Sequence, residues 1–348
     1  MNNGKTARTF TMCVAVALAM LVATVAQAAT GFGTYAYRSH IGGVQNWRAH
    51  VKLMKKYGMN TFVIEYGQPE ELRDQIDIAI EEGMLDPQFP VIAMANIGDV
   101  GFAKLVPDWE KVKAAELNPL GGHGQGHFAG RAYVAKLAQG MSKYPDQWPE
   151  IVAYNIDEPG RGKPMTSADK RVIGEITSRN NEQGVRCGTA VCYPNVKNMV
   201  PLLDIVCVSI IIGGDLHGCK QLIEASKKEF WVYDTQLSHA PCTPEMVRWS
   251  IGLWTWLVQP RVRLSWCWKD YLLKGCDMAN PEPSPQLVAY GEGVKDYNYL
   301  TATQAQLDKY RAEFDWEGYP VKEWIAQGGT EKTVPPIDFE KLLPKRVQ

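Results

Sequence analysis

LDIVCVSIII (203–212), GCKQLIEASKK (218–228) and EFWVYDT (229–235) follow one another almost without a gap. Two short runs rich in apolar and β-branched residues flank a segment in which apolar and charged residues mix. Strand-length runs separated by a helix-length amphipathic segment make a βαβ unit, and such units place their strands in parallel. Outward from this unit the same alternation continues to both ends. FGTYAYR (32–38), NTFVIEY (60–66), FPVIAMAN (89–96), EIVAYNID (150–157) and GVRCGTAVCY (184–193) precede it, and RVRLSWCW (261–268) follows it, so the chain holds eight strand-like runs. Helix-like segments lie between them at 47–57, 70–82, 130–143, 167–181, 218–228 and 244–258. Gly58, Gly83 and Gly184 sit where helices of these lengths would end, the place where glycine relieves a left-handed backbone.

Eight strand–helix repeats predict a (β/α)8 barrel, whose usual size of ~250 residues matches residues 29–280. The competing arrangement is a doubly wound open sheet; no Gly-rich phosphate loop follows the first strand, which argues against nucleotide binding. Two regions exceed a minimal barrel. Residues 97–130 form a long connection after the third strand, with NPLGGHGQGHFAG at its end, and long strand-to-helix loops of barrels often cover the active site. Residues 281–348 read as a C-terminal extension that opens on the Pro-rich NPEPSP and carries a helix near 302–314.

The 348 residues are 45% hydrophobic and 22% charged, with a formal net charge of −1. That balance argues against a nucleic-acid partner and against electrostatic membrane binding. The first residues stand apart from the fold. Lys5 and Arg8 precede an apolar run, 12–25, and Ala26-Gln27-Ala28 closes it. This is the pattern of a secretory signal peptide cleaved after Ala28, so residues 1–28 are expected to be removed and the mature protein exported to a periplasm or beyond the cell. Seven of the eight cysteines lie past this leader, an odd number without C-x-x-C spacing, and most read as buried thiols.

IVAYNIDEPG (151–160) holds the candidate chemistry. An apolar strand ends on two adjacent carboxylates, Asp157 and Glu158, and Pro159 closes the run. Catalytic groups of barrels project from the C-terminal ends of strands, which is where this pair falls. Neighbouring strand residues point to opposite faces, so both carboxylates serve one pocket only if the strand ends there. Proline favours such an ending. The competing reading is an acidic turn that caps the next helix.

YNIDEPG (154–160) resembles the fourth-strand motif of glycoside hydrolase family 123 and its relatives. GEGVKDYNYL (291–300) resembles a segment that follows the barrel in many uncharacterised relatives, and WSIGLWTWLVQPRVRLSWCW (249–268) resembles the family's seventh helix and Trp-rich eighth strand. The resemblance implies an exported barrel enzyme that cleaves N-acetylhexosaminides with retention, the substrate's own acetamido oxygen acting as nucleophile. Glu158 would then be the general acid and base, and Asp157 would hold the acetamido N–H. Adjacent carboxylates suit this work, since each shifts the other's proton affinity. No cofactor and no metal are implied; the partner is a carbohydrate.

Asp234, closing EFWVYDT, is the alternative second carboxylate. Retaining pairs stand ~5–5.5 Å apart and inverting pairs ~6.5–9.5 Å, so geometry separates it from a helix cap. A non-catalytic sugar-binding barrel would keep the aromatics without the chemistry. Trp266 and Trp268, Trp231 and Tyr233, and Tyr35 and Tyr37 each lie two apart, and so share a strand face. Aromatic faces at a barrel mouth can stack on sugar rings. Of the two tryptophans, Trp268 is nearer its strand end and reads as the pocket residue. Tyr193 is a candidate for the acetamido carbonyl, and Glu65 and Arg38 for hydroxyls. His123 and His127 have a metal-like spacing in a stretch too Gly-rich for a helix, and His217 and His239 are candidate rim residues.

Overall fold

A computed structural model describes residues 29–37, 41–95, 130–154, 158–159, 165–192, 195–210, 216–234 and 243–303. Strands β1 (Gly31–Ala36), β2 (Val63–Tyr66), β3 (Val91–Ala95), β4 (Ile151–Tyr154), β5 (Cys187–Val191), β6 (Ile205–Ile210), β7 (Glu229–Asp234) and β8 (Val262–Ser265) pair in chain order, and β8 returns to β1. The result is a closed parallel barrel, as the βαβ repeat predicts. Around it run α1 (Trp47–Lys56), α2 (Pro69–Glu81), α3 (Gly130–Gly140), α4 (Ser167–Glu182), α5 (Val196–Met199), α6 (Leu216–Ala225), α7 (Pro244–Trp249), α8 (Thr255–Val258) and α9 (Pro285–Ala302). A π-helical turn, Ser250–Trp254, joins α7 to α8. Gly58, Gly83 and Gly184 adopt φ of 82°, 62° and 75°, the left-handed conformation expected of C-cap glycines.

Strand alternation divides the apolar residues into two layers. Val63, Ile92, Val152, Ala190, Ile205, Cys207, Trp231, Val262 and Leu264 fill the barrel. Their neighbours Phe62, Ile64, Val91, Val206, Val208 and Val232 pack outward on the helices. Phe89 plugs the N-terminal end, and the Arg261 guanidinium lies 4.6 Å from its ring centre. A Cβ at Gly31 would sit 2.8 Å from the Phe89 ring, so the plug requires glycine there. A basin of about 400 Å³, lined by Arg186, Asp204, Lys227, Lys228 and Glu229, opens at this same end. Its charges already pair with one another: Arg186 with Glu229 and Glu150, and Asp204 with Lys228.

The first part of the segment past residue 280 packs on the barrel. Pro285–Ala302 is the eighth outer helix of the barrel, and the Pro-rich stretch before it is a helix start. Ser284 accepts from Leu287 N and donates to Leu272 O, and Pro285 occupies the first turn, where its missing N–H costs nothing. On α9, Tyr297 meets Phe32 of β1 edge-on at 5.0 Å, Arg248 of α7 grips Asp296 through two hydrogen bonds of 2.6 and 2.9 Å, and a Cβ at Gly293 would meet Arg248 O at 2.8 Å. The helix is therefore docked through backbone contact with a bidentate ion pair beside it. The expected helix at 302–314 lies outside the described residues, apart from its first two. Cys187, Cys192, Cys207, Cys219 and Cys267 are buried and Cys276 is half-buried; Cys242 lies outside the described residues. No helix among the described residues is long and apolar enough to cross a membrane.

Candidate active site

The C-terminal mouth of the barrel gathers the last inward-facing positions of the strands. Tyr35 and Tyr37 come from β1 and its end, Glu65 from β2, Met94 from β3, Tyr154 from β4, Ser209 from β6 and Tyr233 from β7. Trp266 follows directly after β8. Glu158 lies four residues beyond β4, half-buried, and the buried Pro159 follows it. The backbone at Glu158 is left-handed, with φ of 41°. For a residue with a Cβ this conformation costs about 1–3 kcal/mol and is found where surrounding contacts impose it, most often at functional sites.

One such contact is Tyr233. Its hydroxyl donates to Glu158 Oε1. Burial first, and then the negative charge of Glu158, hold the Tyr233 proton well above the usual phenol range, so the phenol acts here as a donor. Ser209 is paired in register with Tyr233 across β6 and β7, and its hydroxyl works against this rise. Cys192, at the end of β5, is close enough to act on the same phenol electrostatically.

From Tyr233 a continuous set of rings leads to the surface. Tyr35 lies 6.0 Å from Tyr233 and 5.1 Å from Trp266, with tilted rings, and Trp266 meets Tyr37 at 5.4 Å and 71°. Tilted and edge-on rings at these separations attract one another through their quadrupoles. Tyr35 and Tyr233 are buried, whereas Trp266 and Tyr37 are half-exposed, so the set presents an aromatic wall at the rim. Among the described residues the buried Tyr35 hydroxyl has no hydrogen-bond partner. Desolvation, aided by the neighbouring Tyr154 and Cys207, pushes its ionisation well above the ordinary value.

The preference between the two tryptophans is reversed. Trp268 is completely buried in the layer between barrel and helices, where its indole N–H donates to His50 Nδ1 at 2.8 Å. Trp266 packs on the interior cluster and opens to the mouth. The shared face expected from two-residue spacing fails because β8 ends at Ser265: Trp266 and Cys267 both belong to the interior set, and alternation slips by one before Trp268. Trp231 and Tyr233 do share the interior, as Tyr35 and Tyr37 do.

Glu65 is half-buried and inward by alternation with Val63, beside Met94 in register. Asp234 is the last residue of β7, opposite Ile210 and Ser265. Its side chain lies outside the described residues. Asp157, Tyr193, Arg38, His123, His127 and His239 also lie outside them. His217 is not a loop residue: it stands in the first turn of α6, 2.7 Å from Gln221 Nε2. Among the described residues no group of three or more His, Cys, Asp or Glu is placed to hold a metal. Ser209 and Cys192 were not singled out in the sequence. Their runs mark them as strand residues, but only the β6–β7 register puts Ser209 beside Tyr233.

No family model and no curated protein matches the chain. The resemblance to glycoside hydrolase family 123 therefore rests on the three sequence motifs. Solved structures do align with it. An endo-β-1,4-mannanase from Thermotoga petrophila is 12% identical over 78% of this chain and 77% of its own, with a TM-score of 0.45. The catalytic domain of a β-amylase from Paenibacillus polymyxa is 9% identical over 78% of this chain and 98% of its own, at 0.48. A xylose isomerase-like TIM barrel fused to a 4-hydroxyphenylpyruvate dioxygenase is 12% identical over 82% of this chain and 45% of its own, at 0.45. Glycoside hydrolases recur among these neighbours, beside the isomerase-like barrel.

Proposed function

We propose that the protein is a glycoside hydrolase whose general acid and base is Glu158. The observation that carries this reading is the place of that carboxylate: half-exposed at the C-terminal mouth of a closed barrel, held by Tyr233, with the Trp266–Tyr37 wall close by. A barrel mouth is where such folds keep their catalytic groups, and half-exposed rings beside a carboxylate suit a sugar ring with a leaving oxygen. The substrate class is an N-acetylhexosaminide. Glu158 gives its proton to the departing glycosidic oxygen while the substrate's acetamido oxygen attacks the anomeric carbon. The resulting cyclic oxazolinium ion is opened by water, whose proton returns to Glu158. Asp157 orients the acetamido N–H and balances the positive charge of that intermediate. No cofactor enters the reaction. The N-terminal leader pattern supports export before the enzyme acts.

The test is a screen of aryl glycosides, N-acetylglucosaminide and N-acetylgalactosaminide among them, against the protein lacking residues 1–28. Glu158→Gln should abolish hydrolysis and leave binding of the same sugar intact. A thiazoline that mimics the cyclic intermediate should inhibit. Undiminished turnover by Glu158→Gln would remove the assignment. Cleavage confined to sugars without an acetamido group, with no thiazoline binding, would leave a glycosidase but remove the substrate-assisted route.

A further inference from the structure

We propose that Tyr35 is a specificity-determining residue of the mouth, its phenol donating a hydrogen bond to a hydroxyl oxygen of the bound sugar. This rests on the reading of the mouth as a sugar site, and it gives a separate role to a residue that the sequence offers only as part of an aromatic face.

The phenol reaches the axis of the barrel. Tyr35 is inward on β1, and Tyr154 of β4, Cys207 of β6 and Tyr233 of β7 all act on its hydroxyl electrostatically. With eight strands in chain order, β4 and β6 flank the strand opposite β1. A β1 side chain that feels both has crossed to the centre, one layer below the half-exposed Tyr37, Glu65 and Met94. Among the described residues nothing there accepts its proton. Trp231 Nε1, two residues before Tyr233 on the same inward face, is a second buried donor without a partner among them. Burial also keeps the Tyr35, Tyr233 and Cys207 protons in place. The floor of the mouth is thus rich in donors and short of an acceptor.

A buried donor left unpaired costs stability, so its presence calls for an acceptor that the chain itself does not supply. The acceptor that fits is a neutral oxygen. Burial at this depth disfavours an anion, and the Glu158 carboxylate, bonded to the adjoining Tyr233, adds to that. A sugar hydroxyl meets the requirement, and it arrives with a ring face that suits Trp266. Trp266 is half-exposed and lies 5.1 Å from Tyr35 with tilted rings, a contact that a pyranose face can replace as it enters. The Tyr35 hydroxyl is dry before binding, so the sugar strips no water from it. The full gain of the bond therefore separates a sugar that carries the hydroxyl from one that lacks it.

The test is Tyr35→Phe, which keeps the ring and its contacts and removes only the donor. Calorimetric titration of the parent and the variant uses N-acetylglucosamine, N-acetylgalactosamine and the thiazoline of each, with thermal unfolding as the check on folding. The sugar that the parent binds should bind the variant about tenfold more weakly, with Tm equal or higher. Forms of that sugar lacking one hydroxyl each locate the oxygen. One of them should bind the parent about tenfold more weakly than the intact sugar, and that one alone should bind parent and variant alike. Equal affinity of parent and variant for the intact sugar overturns the proposal; joined to a lower Tm, it assigns the hydroxyl to an internal water instead. A loss of affinity that is the same for the intact sugar and for every deoxy form also overturns it, as the mark of a general distortion. If Tyr35→Phe does not fold, a crystal structure of the parent with the bound sugar decides: a sugar hydroxyl oxygen within about 3.2 Å of the Tyr35 oxygen upholds the proposal, and its absence there overturns it. Failure of the parent to bind any of the four compounds is a separate outcome, which refutes the sugar site itself.

Discussion

His50 should make the barrel lose stability below neutral pH. It is fully buried on α1, and both ring nitrogens are engaged: Trp268 Nε1 lies 2.8 Å from Nδ1 and Met278 O lies 2.9 Å from Nε2. An indole N–H can only donate, so Nδ1 is the acceptor and the single ring proton sits on Nε2, facing the carbonyl. A second proton would have to go onto Nδ1, against the indole N–H. Burial lowers the His50 pKa from the ordinary 6.5, and the Met278 and Ile41 carbonyls offset this only in part. The sign follows directly. The unfolded chain takes up the proton first, so the contribution of His50 is complete above the ordinary histidine value and fades as pH falls toward the lower folded value. In that window the slope for one proton is about 1.4 kcal/mol per pH unit. For a domain of this size that corresponds to about 2–4 °C in Tm per kcal/mol.

The perturbation is His50→Gln, which cannot titrate. At pH 7 it should be less stable by about 1–3 kcal/mol, from buried groups left with poorer partners. Thermal and urea unfolding of both proteins between pH 7.5 and 5 supply the comparison. Asp270, Asp277, Lys269 and Lys52, the charged groups of the neighbouring segments, are common to both proteins and cancel in the difference. The gap between wild type and variant should therefore narrow as the pH falls below the ordinary histidine value. A gap that stays constant from pH 7.5 to 5 refutes the argument, because it would mean that His50 is equally easy to protonate in the folded and unfolded chains.

Two further outcomes follow from the mouth of the barrel. Tyr35→Phe removes a buried hydroxyl that has no partner among the described residues, so unfolding should show a variant as stable as the parent or up to about 1–3 kcal/mol more stable; a loss of that size would show that the hydroxyl is bonded in solution. Trp266→Ala removes two ring contacts, at 5.1 and 5.4 Å, worth about 0.5–1.5 kcal/mol each, together with the exposed ring face. Titration with the sugar found in the glycoside screen should show binding weakened about tenfold or more, whereas Trp268→Phe should leave binding unchanged and cost stability.

Much of this arrangement was legible because it is local. The helix read at 70–82 is found at Pro69–Glu81 and that at 167–181 at Ser167–Glu182. In the latter, Thr166 and Asp169 close a capping box, a signal carried entirely by residues three apart. The helix at Pro285–Ala302 went unread in the sequence for a related reason. NPEPSP looks like a linker by composition, but Ser284-Pro285 is a cap and first turn, and what distinguishes them is the packing of Gly293 against Arg248 O from a different helix.

The site divides in the same way. Glu158 was found from its place after an apolar strand, since strand ends and barrel mouths coincide once the repeat is known. The roles of Trp266 and Trp268 were inverted because two-residue spacing holds only while a strand lasts, and where β8 ends is decided by its neighbours.

From composition and periodicity alone came the number of βαβ units, their parallel direction, the closure they imply and the acidic strand end, because each depends on residues within a few positions of one another. Tertiary structure alone decided that Tyr233 meets Glu158 across 75 residues, that Ser209 lies beside Tyr233 in register, and that Trp268 belongs to His50, across 218. Those pairings follow from barrel closure and inter-strand register. Both are properties of the whole sheet, and no short stretch of chain encodes them.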